Sequence, residues 1–306
     1  MPVAKKLIYL DEERVRSLLR WDALIDAMEA ALAAFSSGRV QQPVRGVLTV
    51  EENKRYLGVM PAVTDDVMGA KLVSFYPGNE GTPFPTHNGV ILLFDTRTGV
   101  PLAAMDGRLI TEMRTAAVSA AATKYLMPEH SRVLAVLGSG VQAHAHAEAL
   151  AHVVDFAEIR VWSRTPEHAR RFASEHGAIA MDAERAVRGA DVVVVATSSQ
   201  EPVLHGAWLK AGAHVNAVGA NRPTWRELDD DAMTNTLFVD SRASAAQESG
   251  DVILSKASVY AEIGELFAGT VAPPRSATTV FKSLGLAVED LAAAKLVYGA
   301  AQPIHG

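Results

Sequence analysis

The run Val133-Leu134-Ala135-Val136-Leu137 has no polar side chain and passes directly into Gly138-Ser139-Gly140-Val141-Gln142-Ala143, followed by an alanine-rich stretch to His152. A short apolar strand, then G-x-G-x-x-A, then a helix is the pattern of a dinucleotide-binding β–α–β unit. The first glycine permits the tight turn and the second lets the backbone approach a pyrophosphate. The small Ala143 allows the helix to pack close to the strand. The diphosphate then meets free N–H groups at the helix N-terminus. The motif by itself is common; a strand before it, a helix after it and a second strand at 159–162 give it weight.

That second strand ends in Ser163-Arg164-Thr165. An acidic residue there would accept the ribose 2′-hydroxyl of NAD. No carboxylate stands at this point to repel a 2′-phosphate, while a guanidinium and two hydroxyls can bind one. The sequence therefore favours NADPH, with NADH as the alternative.

A chain of 306 residues exceeds one ordinary compact core, so two domains are expected. Hydrophobic residues at 49% can fill both. A net charge of −6 gives no basic footprint for nucleic acid, and an anionic substrate would need local cations. The absence of cysteine excludes disulfides, thiolate catalysis and cysteine-based metal sites. No stretch of about 18 apolar residues and no signal-like N-terminus occurs, so a cytoplasmic protein without a membrane partner is expected.

Residues 11–37 carry apolar side chains at helical spacing, which fits two amphipathic helices with Asp11 as a cap. From 44 to 100 the pattern becomes short β-prone runs (46–50, 56–60, 70–76, 89–95) separated by turn residues, as in a mostly antiparallel sheet. Thr96-Arg97-Thr98-Gly99 reads as a hairpin turn leading to a strand over 102–105. An alanine-rich helix over 110–126 is stopped by Pro128. Beyond Gly140, helices alternate with strands at 159–162, 192–196, 214–218 and 237–239, which argues for a parallel, doubly wound sheet. An apolar helix over 286–298 closes the chain. The expected fold is α/β: a Rossmann-type domain over 128–284, inserted in an α+β substrate and dimerisation domain over 1–127 plus 285–306.

Met105-Asp106 through Arg114-Thr115-Ala116-Ala117-Val118-Ser119, followed by the glycine motif, stand in an order that resembles the ornithine cyclodeaminase/mu-crystallin family. Further matches are Tyr56-Leu57-Gly58-Val59-Met60-Pro61, the run from Asn216 to Asp229, and Thr279-Val280-Phe281-Lys282-Ser283-Leu284-Gly285. The tail and the Asn216–Asp229 run are most like the mu-crystallin branch, whose members include NAD(P)H-dependent ketimine reductases. The resemblance implies a homodimer and places Arg45, Lys71 and Arg114 on a substrate α-carboxylate, with His87 nearby. A carboxylate in a dry cleft needs charge-assisted donors, and Arg114 in an otherwise apolar helix requires a partner. Lys71 and Arg114 carry the catalytic expectation.

The cofactor set comprises Gly138, Gly140, Val141 and Gln142 in the loop, Ser163, Arg164 and Thr165 after the second strand, and Thr197 at a strand end. Thr115, Val218, Gly219, Lys282 and Ser283 complete it by resemblance. No metal is expected: His144 and His146 lie on different helix faces, and with Glu148 they lack the i, i+4 histidine pair. Where ornithine cyclodeaminases use a glutamate and an aspartate, this chain has Gly58 and Asn221, which cannot act as general bases. The resemblance thus implies one hydride step, reduction of a cyclic ketimine carrying a carboxylate to the cyclic amino acid. The alternatives are an open-chain imino acid reductase, an ornithine cyclodeaminase, or a small-ligand binder without turnover.

Overall fold

The computed structural model describes residues 7–52 and 54–302, which divide into one unit that runs to residue 114 and resumes at 286, and a second of 115–285. The expected boundary at 127/128 lies instead at 114/115, inside a helix. The change of pattern near Pro128 marks where that helix ends and not where the units part.

The first unit starts with β1 (Ile8–Leu10), α1 (Glu12–Leu18) and α2 (Trp21–Ser36). Asp11 caps α1 by accepting the Arg14 N–H, as expected for an aspartate at that position. Strands β2 (Gly46–Glu51), β3 (Arg55–Val63), β4 (Val67–Phe75), β5 (His87–Asp95) and β6 (Pro101–Asp106) follow, then helix α3 (Gly107–Leu126). The sheet order is β1-β6-β5-β4-β3-β2, antiparallel except for the parallel β1–β6 pair. The β5–β6 turn is fixed by Asp95, whose carboxylate accepts the Arg97 and Thr98 N–H groups, and by Gly99 at φ 71°.

The second unit contains β7 (Val133–Leu137), α4 (Val141–Ala151), β8 (Glu158–Trp162), α5 (Pro166–His176), β9 (Ile179–Ala180), α6 (Ala183–Val187), β10 (Val192–Val195) and β11 (His214–Ala217). It continues with α7 (Asp230–Met233), β12 (Thr236–Val239), α8 (Arg242–Glu248), α9 (Gly250–Ser255), β13 (Val259–Glu262), α10 (Ile263–Phe267) and β14 (Thr279–Lys282). All eight strands are parallel, in the order β13-β12-β14-β11-β10-β7-β8-β9. Leu134–Leu137 and Val192–Val195 are fully buried, as strands covered on both faces must be. The strands β1, β13 and β14 are not evident from hydrophobic pattern. No helix among the described residues is long and apolar enough to cross a membrane.

The chain then returns to the first unit as α11 (Ala287–Ala301), which packs on α2 and on strands β3 to β5. Gly69 permits this approach: a Cβ there would lie 2.0 Å from the Leu92 carbonyl oxygen and 3.0 Å from a Leu291 methyl. Gly69→Ala is expected to destabilise the protein by about 1–3 kcal/mol through overpacking, read as a lower denaturant midpoint with unchanged slope.

Candidate functional site

Two separate clusters carry the chemistry, one in each unit. In the first, Lys71 occupies the middle of β4, paired with Met60 and Ile91 on the neighbouring strands. Its ammonium is buried, 2.8 Å from Asp290 Oδ2 and 3.2 Å from the Thr111 hydroxyl. Thr111 gives its own proton to the Gly107 carbonyl at 2.6 Å, leaving lone pairs for the lysine. Arg114, also buried, donates from Nε to Asp290 Oδ1 at 3.1 Å and from a terminal nitrogen to Glu289 Oε2 at 2.7 Å. Asp290 therefore bridges the two cations.

Burial pushes Lys71 down to about 8 against the pull of Asp290, and the charges of Arg114 and Arg45 push it further the same way. Arg45, half-buried just before β2, is thus near enough for its charge to act on Lys71. Two buried cations, Lys71 and Arg114, thus meet at Asp290, with the charge of Arg45 close enough to act on Lys71. Sequence reasoning missed Glu289 and Asp290. His87 stands apart: it is exposed, stacks on Phe75 at 4.5 Å, and lies four residues along β5 from the partner of Lys71, about 13 Å away.

In the second unit Gly138 has φ 121°, and a Cβ there would sit 2.2 Å from the Ala196 carbonyl oxygen, so only glycine fits. Gly140 caps α4 with no side-chain bond, and nothing lies within 4 Å of where its Cβ would be. Open space therefore meets unsatisfied amides at the first turn of α4. Val141 is 56% exposed beside them. Gln142 Oε1 and Ser283 Oγ are buried atoms with no hydrogen-bond partner among the described residues. Orphaned polar atoms and an open glycine cradle fit a dinucleotide.

After β8, Ser163 accepts a hydrogen bond from Ser139 at 2.8 Å. Arg164 is exposed and makes no ion pair among the described residues, and the Thr165 hydroxyl does not cap α5. Thr115 opens the second unit within α3.

The ends of β10 and β11 are organised by one fully buried carboxylate. Glu227 Oε1 accepts from the backbone and hydroxyl of Thr197 at 2.6 and 2.7 Å, and Oε2 from the N–H groups of Gly219 and Ala220 at 2.6 and 2.9 Å. The Thr197 hydroxyl is accordingly engaged with Glu227. Gly219 is pinned, since a Cβ would lie 2.1 Å from the Thr197 carbonyl oxygen, and Val218 donates to Val195 at 2.9 Å. Burial pushes the Glu227 carboxyl up, and the Lys282 ammonium 4.0 Å away pulls it back.

Lys282, placed in the cofactor set together with Ser283, is fully buried with its ammonium 2.9 Å from Asp251 Oδ2. A lysine in a central strand must find a carboxylate, and this one has two. Asp251 also accepts the Glu227 and Leu228 N–H groups, and Asp240 accepts those of Leu284 and Gly285. His146 is a core residue, hydrogen-bonded to the Gln142 carbonyl and Ser119 hydroxyl and pushed down to about 4 by burial.

Known proteins are similar to this chain over nearly its whole length. The ketimine reductase mu-crystallin of Mus musculus is 51% identical over 300 residues, covering 95% of this chain and 96% of that protein. The structure of Thermococcus litoralis Δ1-pyrroline-2-carboxylate reductase in complex with NADH and L-proline has a TM-score of 0.90 at 33% identity, covering 96% of this chain and 97% of that one. An archaeal alanine dehydrogenase dimer with bound NAD has a TM-score of 0.91 at 35% identity, covering 96% of each chain. Residues 5–303, which include the glycine loop, the cationic cluster and both of its carboxylates, match one family description. The chain belongs to the ornithine cyclodeaminase/mu-crystallin family.

Proposed function

We propose that the protein reduces a cyclic ketimine bearing an α-carboxylate, of the Δ1-piperideine-2-carboxylate or Δ1-pyrroline-2-carboxylate type, to the cyclic L-amino acid. The observation that carries this reading is the buried pair of cations Lys71 and Arg114, held together by Asp290 with the charge of Arg45 acting on Lys71, a cluster of charge-assisted donors of the kind that one carboxylate needs. Arg114, with Nε and one terminal nitrogen tied to carboxylates, has its guanidinium plane fixed before substrate arrives.

A reduced nicotinamide dinucleotide supplies, when bound, the hydride that adds to the imine carbon. Gly138, Gly140 and the first turn of α4 would hold its diphosphate, with Gln142 and Ser283 offering their orphaned oxygens. Lys71 carries the proton that the nitrogen takes up, so that C=N becomes CH–NH. One hydride and one proton need no general base, and neither Gly58 nor Asn221 offers one.

Lys71 gives the reading a pH signature. Its ammonium is charged below about 8 and neutral above, so kcat/KM for the ketimine should fall as pH rises through 8. Lys71→Arg, whose guanidinium keeps its charge but does not give up a proton in this range, should lower kcat/KM at every pH and remove that limb while the ketimine's own titration remains.

The preferred cofactor is NADPH, supported by Ser163, Arg164 and Thr165 at the end of β8. Steady-state rates with each cofactor and with both ring sizes, beside pyruvate plus ammonia and ornithine, test the whole reading. Faster turnover of pyruvate plus ammonia than of any cyclic ketimine would overturn it. Arg164→Glu should lower kcat/KM for NADPH by about 10- to 100-fold, as expected for losing a charge-assisted bond, and leave NADH much less affected. A homodimer is also proposed. It is supported by the archaeal relative's dimer and by the exposed Val47, Leu48 and Val50 on edge strand β2.

A further inference from the structure

Helices α4 and α5 bring together a second polar cluster on side chains that the reductase chemistry does not use. His144 Nδ1 is 2.8 Å from His176 Nε2 and 3.4 Å from Glu175 Oε2. One donor atom from each of the three lies within 4.8 Å of the others. Phe172 packs against both imidazoles, with centroids 4.8 and 4.5 Å away, and fixes their tilt. The cluster is open to solvent: the His144 side chain is 24% exposed and Glu175 is 51% exposed.

Without an ion the cluster is short of protons. Each neutral imidazole carries one N–H, and the His144 nitrogen that faces inward can give a proton to His176 or to Glu175, not to both. The protein's own N–H groups therefore leave one lone pair in the cluster for solvent or for an ion. A single cation accepts all three.

We propose that His144, Glu175 and His176 bind one divalent transition-metal ion of the zinc class, with the fourth position left to solvent. Zn–N and Zn–O bonds of about 2.0–2.1 Å in a tetrahedron set ligand atoms about 3.4 Å apart. The His144–Glu175 pair already stands at 3.4 Å, and the two imidazoles need to open by about 0.6 Å from 2.8 Å. Two imidazoles and one carboxylate select zinc, nickel or copper over magnesium or calcium. The ion would join α4, which opens at the glycine loop, to α5, which follows Ser163-Arg164-Thr165. This inference rests on local geometry and stands whether or not the reductase reading holds.

The test is titration of chelator-treated protein with Zn²⁺ by calorimetry and with Co²⁺ by visible absorption, where a four-coordinate site gives d–d bands. The expected result is one equivalent bound, weakened at least 10-fold in both His144→Ala and His176→Asn, and retained in His205→Ala. Circular dichroism of each variant checks the fold, and His176→Asn keeps a side chain in place should truncation disturb α5. Absence of one-to-one binding to the wild-type protein, or unchanged affinity in the folded double variant, would overturn the proposal.

Discussion

Arg114→Met is expected to lower kcat/KM for a cyclic ketimine by about 100-fold, the loss of a charge-assisted carboxylate contact. The same change should raise KM for the ketimine while leaving the affinity for cofactor close to wild type. It also removes the guanidinium from both Glu289 and Asp290, so two buried carboxylates that it had paired then face an incoming carboxylate. Breaking a buried pair costs about 3–5 kcal/mol, so the thermal midpoint should fall with the activity. Arg114→Lys separates the effects: it restores the charge without the planar fork and should recover stability more fully than rate. Wild-type turnover in a folded Arg114→Met protein would remove this residue from the substrate site.

The second large effect is expected from Glu227→Ala, in the other unit. Four donors lose their acceptor, and Lys282 keeps Asp251 as its one carboxylate at ion-pair distance. The loops after β10 and β11 lie at the carboxyl ends of the strands, where a doubly wound sheet binds its ligand. KM for the nicotinamide cofactor should rise by about 10- to 100-fold, the loss of one or two charge-assisted hydrogen bonds. KM for the ketimine at saturating cofactor should change far less. Glu227→Gln presents an NH₂ to one pair of N–H donors and should be only partly better. Equal rises in both KM values would mean a general loss of structure and not a positioning role.

The glycine motif and the alternation of strands with helices could be read from the sequence because both are local: a turn geometry that glycine dictates, and a period that changes from 2 to 3.6. Strand β14 could not. Its four residues follow Pro273, Pro274 and Ser276 and look like loop, and its place depends on β11 and β12, which are remote in sequence. Glu289 and Asp290 were hidden for another reason. Acidic residues in the first turn of a helix are ordinary partners of its dipole, so they attract no notice. The available signal was that the first turns of α11 are otherwise apolar, which buries both side chains and obliges them to pair. Glu227 stood in a motif already quoted, but which backbone amides it would gather depends on the packing of two loops.

The position of β14 also bears on how the protein is made. It lies between β11 and β12, yet 61 residues separate Ala217 from Thr279 in the chain. At about 5–20 residues per second, roughly 3–12 s of synthesis pass between the two. During that interval β11 keeps an open, apolar edge, and β12 with β13 forms a detached pair. The nascent sheet is two fragments awaiting a keystone, and a ribosome that stalled before Thr279 would release a chain with two unpaired edges suited to aggregation.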